Sequence, residues 1–383
     1  MKKHLWLIIL FSIFSTLLVA MILPYIPLYG KDIGLPVVII GYVIAVYHLV
    51  QVIGRIPLGT LSDVIGYRTV IGIGGASLFL GTGTYILSSS FWPLMFLAQI
   101  LLGIAVSMTY VTIPAYITHF GQEKVPIYTF IMGWAYTLAV PLGGFLKETM
   151  GMDFLFSLAF IFSIPALLIV VLLWKTKPSD DKNNVKKLNS LSVISVYKSA
   201  FKTLENPKVL RACLYSFLMF MNFTIGFSLF PLRLSGIGLT ATLIGLVQFS
   251  RMGTGSSVRL LSKKIEGKIN REKILTFGTA IVGLSLVLIP MLESLVTLIL
   301  ISIIWGLSGG LYAPIVFDMI ADSTEIKDRG RGMGLRGTMG TLGSSLGVIC
   351  FSNIADILSI PISISLAGVA IVIGVILIEI LLR

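Results

Sequence analysis

The sequence predicts an all-α membrane protein with twelve transmembrane helices in two pseudo-symmetric six-helix bundles. Three observations carry that expectation. First, 56% of the 383 residues are hydrophobic, only 12% are charged, and the mean hydropathy is +0.97. Soluble domains carry roughly 45–50% apolar and about 25% charged residues, so this chain lacks the charge to cover a water-facing surface. Second, its apolar residues fall in long runs, and a bilayer core of ~30 Å needs about 20 such residues per helix. Third, landmarks of the first half recur in the second at one constant offset. The composition excludes a soluble enzyme, a disordered regulator and a disulfide-built secreted domain.

The runs occupy residues 5–29, 36–60, 68–89, 92–118, 126–147, 153–174, 208–232, 240–262, 272–291, 295–320, 332–354 and 358–382. They are too long for tilted barrel strands of about 9–11 residues and do not alternate polar with apolar. Lys2 and Lys3 precede the first run. That run exceeds the ~7–15-residue apolar core of a signal peptide, and no small-x-small site follows it, so it reads as a retained span. The connections are short except for 175–207. This segment opens with Pro178 to Asn184 and continues with Leu188, Leu191, Ile194, Tyr197, Phe201 and Leu204 at roughly helical spacing, a stretch expected on the membrane surface. Asn206 and Pro207 then read as N-cap and first residue of span 7. The expected division is a bundle at 1–174, a cytoplasmic linker at 175–207 and a second bundle at 208–383.

At an offset of 204 residues, Pro27-Leu28 returns as Pro231-Leu232, Ile33-Gly34-Leu35 as Ile237-Gly238-Leu239, Ile40-Gly41 as Ile244-Gly245, Arg55 as Arg259 and Gly74 as Gly278. Parallel six-helix repeats of this kind build transporters that bind solute near the bilayer midplane, between the halves.

Basic residues set the orientation. One side holds Lys2, Lys3, Arg68, Lys124, the long linker, the cluster from Arg259 to Lys273, and Lys327, Arg329 and Arg331; the other holds Lys31, Lys147 and Arg233. Both termini are therefore expected in the cytoplasm, with the chain in the cell membrane. The net charge of +12 reads as anchors beside anionic headgroups, not as nucleic-acid binding. No cofactor is expected. His4, His48 and His119 share no metal-ligand spacing, and Cys213 and Cys350 read as small core residues. Gly332-x-Gly334-x-x-Gly337 fits the dinucleotide fingerprint but follows no strand. Its glycines continue through Gly340, Gly343 and Gly347 as a packing stripe. There is no P-loop lysine motif for ATP.

Gly59-Thr60-Leu61-Ser62-Asp63-Val64-Ile65-Gly66-Tyr67-Arg68 lies between spans 2 and 3. It resembles the major facilitator superfamily signature G-x-L-x-D-R-x-G-R-K/R, with Val64 and Tyr67 in place of two basic residues. Together with the repeat, the resemblance covers essentially the whole chain. It implies that Gly59, Asp63, Gly66 and Arg68 form a conformational gate against span 11 that holds the cytoplasmic side closed, with Arg55 joining them. Ala139 to Gly144 partly resembles a motif of the family's drug exporters. Gln99, four residues before Gly103, stands where the proton-coupled exporters place an Arg, so their proton relay is not implied.

Ionisable groups at membrane depth are functional by default. Arg251 lies midway along span 8 with Gln248 on the same face. His48, Gln51 and Arg55 share one face of span 2, and Asn222 and Tyr110 are further mid-span polar groups. Arg251, Gln248, His48, Gln51, Asn222 and Tyr110 are the expected substrate-pathway residues. Asp318 and Asp322 are expected to pair with Arg329, Arg331 or Arg336. A midplane cation without a carboxylate favours an anionic substrate. His48 is the one group there whose ordinary pKa of about 6.5 suits proton traffic.

These features predict a monomeric secondary active transporter that moves a small-molecule substrate by alternating access, coupled to a proton or sodium ion. Efflux of amphipathic compounds and carriage of small organic anions both stay open. The alternatives are a transporter-like receptor, which would need a signalling segment, and a membrane-embedded enzyme acting on lipid, which would need acids or metal ligands clustered at one depth.

Overall fold

The computed structural model describes residues 2–118, 124–175, 201–324 and 329–382, with side chains at all of these except 2–4, 56–65, 110–111, 114–115, 118, 124–126, 174–175 and 329–330. Among them there is no strand. The long helices are α1 (Lys2–Ile22, continued after one 3-10 turn by Ile26–Asp32), α2 (Val37–Ile65), α3 (Tyr67–Ser88), α4 (Leu94–Thr118), α5 (Lys124–Met150) and α6 (Met152–Lys175). They continue with α7 (Pro207–Phe227, extended by Leu229–Gly236), α8 (Ala241–Val258), α9 (Arg271–Leu288), α10 (Leu295–Gly310, extended by Tyr312–Ser323), α11 (Arg329–Ile357) and α12 (Ile360–Leu381). This is an all-α membrane protein. Nine helical stretches of the described residues are long and apolar enough to cross a bilayer. The rods that fall short of that measure are α4, α8 and α11. Two of them carry arginines inside apolar sequence, Arg251 on α8 and Arg336 on α11, and both pack against other helices, α8 on α5 and α10, and α11 on α2 and α7.

Local chemistry sets the ends. Asn206 caps α7, its side-chain oxygen accepting from the Lys208 amide at 3.0 Å. Gly34 and Gly238, the pair related by the 204-residue offset, both have positive φ, at 77° and 87°, a conformation that costs glycine little. Gly66, at φ 86°, separates α2 from α3. The motif expected as a connection is therefore mostly helix: no breaker stands between Gly59 and Ile65, and only Gly66 turns the chain. The side chains of Gly59 and Asp63, like most of the surface stretch expected at 188–204, lie outside the described residues.

Small residues let the helices approach closely, as packing in lipid requires. A Cβ on Gly343 would overlap the Phe217 carbonyl, and one on Gly347 would overlap Met221, so this part of the α11 glycine stripe seats α7, while Gly337 faces Arg55 of α2. Polar staples add to this. Arg211 meets Glu272 at 2.9 Å and the Leu382 carbonyl at 2.8 Å, while Tyr215 and Thr276 reach Glu379 at 2.7 and 2.9 Å, tying α7, α9 and α12 together. Arg211→Met is expected to lower stability by about 1–3 kcal/mol, since it strands charged acceptors. A thermal melt of the purified protein checks it, with transport per folded molecule unchanged.

The acidic pair of α10 takes cations that the sequence did not suggest, while the side chain of Arg329 lies outside the described residues. Asp318 bonds Lys263 and lies 3.9 Å from Arg271, and Arg271 donates to Asp322 at 2.6 Å. The expected Arg336 donates instead to the Tyr312 hydroxyl at 3.3 Å. The basic α8–α9 connection folds onto the end of α10 and supplies the cations.

Candidate functional site

A cavity of about 210 Å3 lies between the first six helices and the last six. Polar residues reach it from α2 (Tyr47, His48, Gln51, Arg55), α4 (Gln99), α5 (Tyr136), α7 (Thr224) and α11 (Thr341, Ser344). Phe220, Phe223 and Phe227 of α7, with Leu23, Ile44 and Val106, complete the wall. No Asp or Glu is among the lining residues, and Arg55 supplies their guanidinium.

The α2 face is one connected unit. Arg55 donates to Gln51 Oε1 at 2.9 Å, and Gln51 Nε2 donates to the Tyr47 carbonyl at 3.1 Å. Arg55 also reaches the α11 carbonyl of Gly337 at 3.3 Å and lies 5.8 Å from the Phe220 ring. His48 Nε2 is 3.4 Å from Thr224 Oγ1 of α7, and its Nδ1 has no hydrogen-bond partner. Gln99 is fully buried, and neither atom of its amide has a partner. A buried polar atom left unpaired costs about 1–3 kcal/mol, which sets these groups apart from the other polar groups of the wall.

The expected pathway residues divide into two groups. His48 and Gln51 stand on the cavity wall, beside Arg55. Arg251, Gln248 and Asn222 form a separate cluster inside the last six helices and do not line the cavity. Arg55, grouped in the sequence with the gate residues, thus belongs to the cavity as well as to an α2–α11 contact. The side chain of Tyr110 lies outside the described residues, and Arg68 is the second residue of α3. The sequence did not place Gln99, Tyr136, Thr341, Ser344 or the α7 phenylalanines on the pathway. A lone amide in the apolar run of α4 was the one available signal.

At the end of the molecule that holds Lys31 and Glu148, the two sets of helices meet directly. A Cβ on Gly245 of α8 would stand 2.7 Å from Tyr25 Oη and 2.9 Å from Pro141 Cα. One on Gly41 would overlap Ser352, and one on Gly144 would overlap the Ala241 carbonyl. Glu148 accepts from the Thr242 amide at 2.9 Å, and Lys31 donates to Ser235 at 3.1 Å. Two further bridges between the sets lie deeper in the helices: Arg55 to the Gly337 carbonyl at 3.3 Å, and Thr137 to Ser256 at 3.4 Å.

Comparison with known proteins accords with this architecture. The chain matches the sequence model of the Major Facilitator Superfamily over residues 5–347 and 237–383. It is 24% identical over 371 residues to an uncharacterized MFS-type transporter of Methanocaldococcus jannaschii, covering 92% of each chain. It is 28% identical over 211 residues to the inner membrane transport protein YajR of Escherichia coli, covering 52% of this chain and 44% of that one. Among solved structures, a POT family transporter in complex with a thioalcohol-conjugated peptide superimposes with a TM-score of 0.78 at 12% identity, over 99% of this chain and 95% of that one. A D-xylose–proton symporter does so with a TM-score of 0.75 at 16% identity, over 98% and 96%. The chain belongs to the Major Facilitator Superfamily and is a multi-pass membrane protein and secondary transporter.

Proposed function

We propose that the protein carries small amphipathic organic anions across the cell membrane by alternating access. The single observation that supports this best is the composition of the cavity wall: aromatic side chains, unpaired hydrogen-bonding groups and the guanidinium of Arg55, with no carboxylate. A guanidinium matches a carboxylate or phosphate in a bidentate fork, and aromatic walls suit an apolar body. The volume is below the roughly 300–1,000 Å3 of pockets for drug-sized ligands, which favours a small solute. Bundles 1–174 and 208–383 rock about the cavity, joined by the linker 175–207. Both termini and the linker are cytoplasmic, so the sealed Lys31–Glu148 end faces outside. The motif residues Gly59, Asp63, Gly66 and Arg68 close the cytoplasmic side in the other half of the cycle. A proton is the coupling ion that His48 suits, facing the cavity with Nδ1 unpaired.

A thermal-stability screen of the purified protein tests the reading. Aromatic carboxylates are expected to raise the melting temperature, and the matched amides and amines are not. Saturation at ~100 times Kd adds about 2.7 kcal/mol. Stabilisation by amines with none by carboxylates would overturn it.

A further inference from the structure

The cluster around Arg251 has no place in the cavity, yet it is built like a binding site. The guanidinium is 4% exposed and sits between two rings, 4.4 Å from the centre of Trp305 and 4.9 Å from that of Phe227. Its Nε donates to Gln248 Oε1 at 3.0 Å, and Gln248 Nε2 donates to the Gly226 carbonyl at 2.5 Å. Trp305 is held in turn by Asn222, its Nε1 donating to Oδ1 at 2.9 Å. Gly226 is needed there, because a Cβ would overlap Arg251 Nη1. The Gln248 amide and the Trp305 indole N–H are thus satisfied. Arg251 Nη2 is buried without a hydrogen-bond partner, and no carboxylate pairs with this guanidinium among the described residues. An unneutralised buried cation is costly, and a protein usually satisfies it with a paired acid. The π-faces offset only part of that cost.

Phe227 links Arg251 to the cavity: its ring lies against the guanidinium, and the same residue lines the cavity. It is the last residue of the Pro207–Phe227 helix, next to the break at Ser228, where the backbone leaves the regular ladder before Leu229–Gly236. Its edge partner is Tyr136 of α5, at 5.9 Å between centroids. The lid is thus a pair of rings, one from each set of six helices, and it parts when the two sets separate.

We propose that Arg251 and Gln248 form a second anion subsite, closed in this conformation by Phe227 and opened as Tyr136 moves away with the first six helices. Its ligand is a carboxylate or a comparable small anion, held by the vacant Nη2 of the guanidinium. The proposal rests on the anion-carrier reading, but it concerns a different arginine, so the two can fail separately.

The test uses iodide, an anion that quenches tryptophan on contact, against neutral acrylamide. The full chain carries Trp305 as its one tryptophan, with Trp6, Trp92, Trp134 and Trp174 changed to Phe. With the lid in place, both quenchers are expected to act weakly. Phe227→Ala is expected to admit both, with iodide favoured over acrylamide by about tenfold through attraction to the partly desolvated cation. Adding Arg251→Gln is expected to abolish the iodide preference and keep the acrylamide quenching, which shows that the fold and the opening survive. Arg251→Lys restores part of the preference. Iodide quenching that is the same with and without Arg251→Gln, or no quenching by either agent in Phe227→Ala, would overturn the subsite. Arg55→Gln is expected to leave the iodide preference intact, so a failure of the cavity reading is seen independently in transport.

Discussion

Arg55→Gln is expected to lower transport efficiency by about 10- to 100-fold while the chain still folds and inserts. Hydrogen bonds to charged groups are worth about 1.5–3 kcal/mol, and each 1.36 kcal/mol is about tenfold in rate or affinity. On the proposed function, Arg55 is the guanidinium that an anion would meet in the cavity, braced by Gln51 on its own helix. The Gln51 amide lines the cavity, where a water can replace the lost bond. Arg55→Lys is expected to fall between the two, keeping the charge and losing the fork. Initial uptake of the stabilising carboxylate into proteoliposomes checks both. Wild-type efficiency in Arg55→Gln would remove the cavity from the pathway.

The second large effect is conformational. Gly245→Leu places a branched side chain where even a Cβ would stand 2.7 Å from Tyr25 Oη and 2.9 Å from Pro141 Cα. Overpacking of this kind costs about 1–3 kcal/mol. Here the cost falls on the state in which α5 and α8 touch, so the population shifts by about 5- to 150-fold toward the state in which they are apart. Transport is expected to stop because that end no longer closes, while the melting profile stays cooperative. A cysteine at Ile44, on the cavity wall and 8% exposed, is expected to react rapidly with an impermeant maleimide from outside in Gly245→Leu and slowly in the parent. The native Cys213 and Cys350 are replaced by Ala in both proteins. Unchanged labelling would show that the α5–α8 seam does not control access.

The sequence revealed the lipid-soluble helices and one wall of the cavity for the same reason: both depend on local periodicity. His48, Gln51 and Arg55 lie three and four residues apart on one helix, so they face one way whatever α2 packs against. Arg251 shows the limit. Its depth in α8 could be read from the chain, but which side of α8 looks into the cavity depends on helices far away in sequence. Its cage draws Trp305 from α10 and Phe227 from α7, and no spacing rule joins those positions. Asp318 and Asp322 illustrate the same gap. Several basic loops were near enough in sequence to serve them, and no local spacing pointed to Lys263 and Arg271, which the fold brings to them. Gln99 was visible as a lone amide, whereas its two unpaired atoms are a property of the packed structure.

The central claim is that two bundles separate and rejoin at the Lys31–Glu148 end about a fixed cavity. The most direct measurement is the distance between spin labels at Ile33→Cys and Gly236→Cys. These sites flank that seam at the tips of the α1 and α7 extensions, with open space around a Cβ at Gly236. Double electron–electron resonance is expected to show one short distance in the parent protein and a second, longer population that dominates in Gly245→Leu. A single, unchanged distance in both proteins would contradict the account.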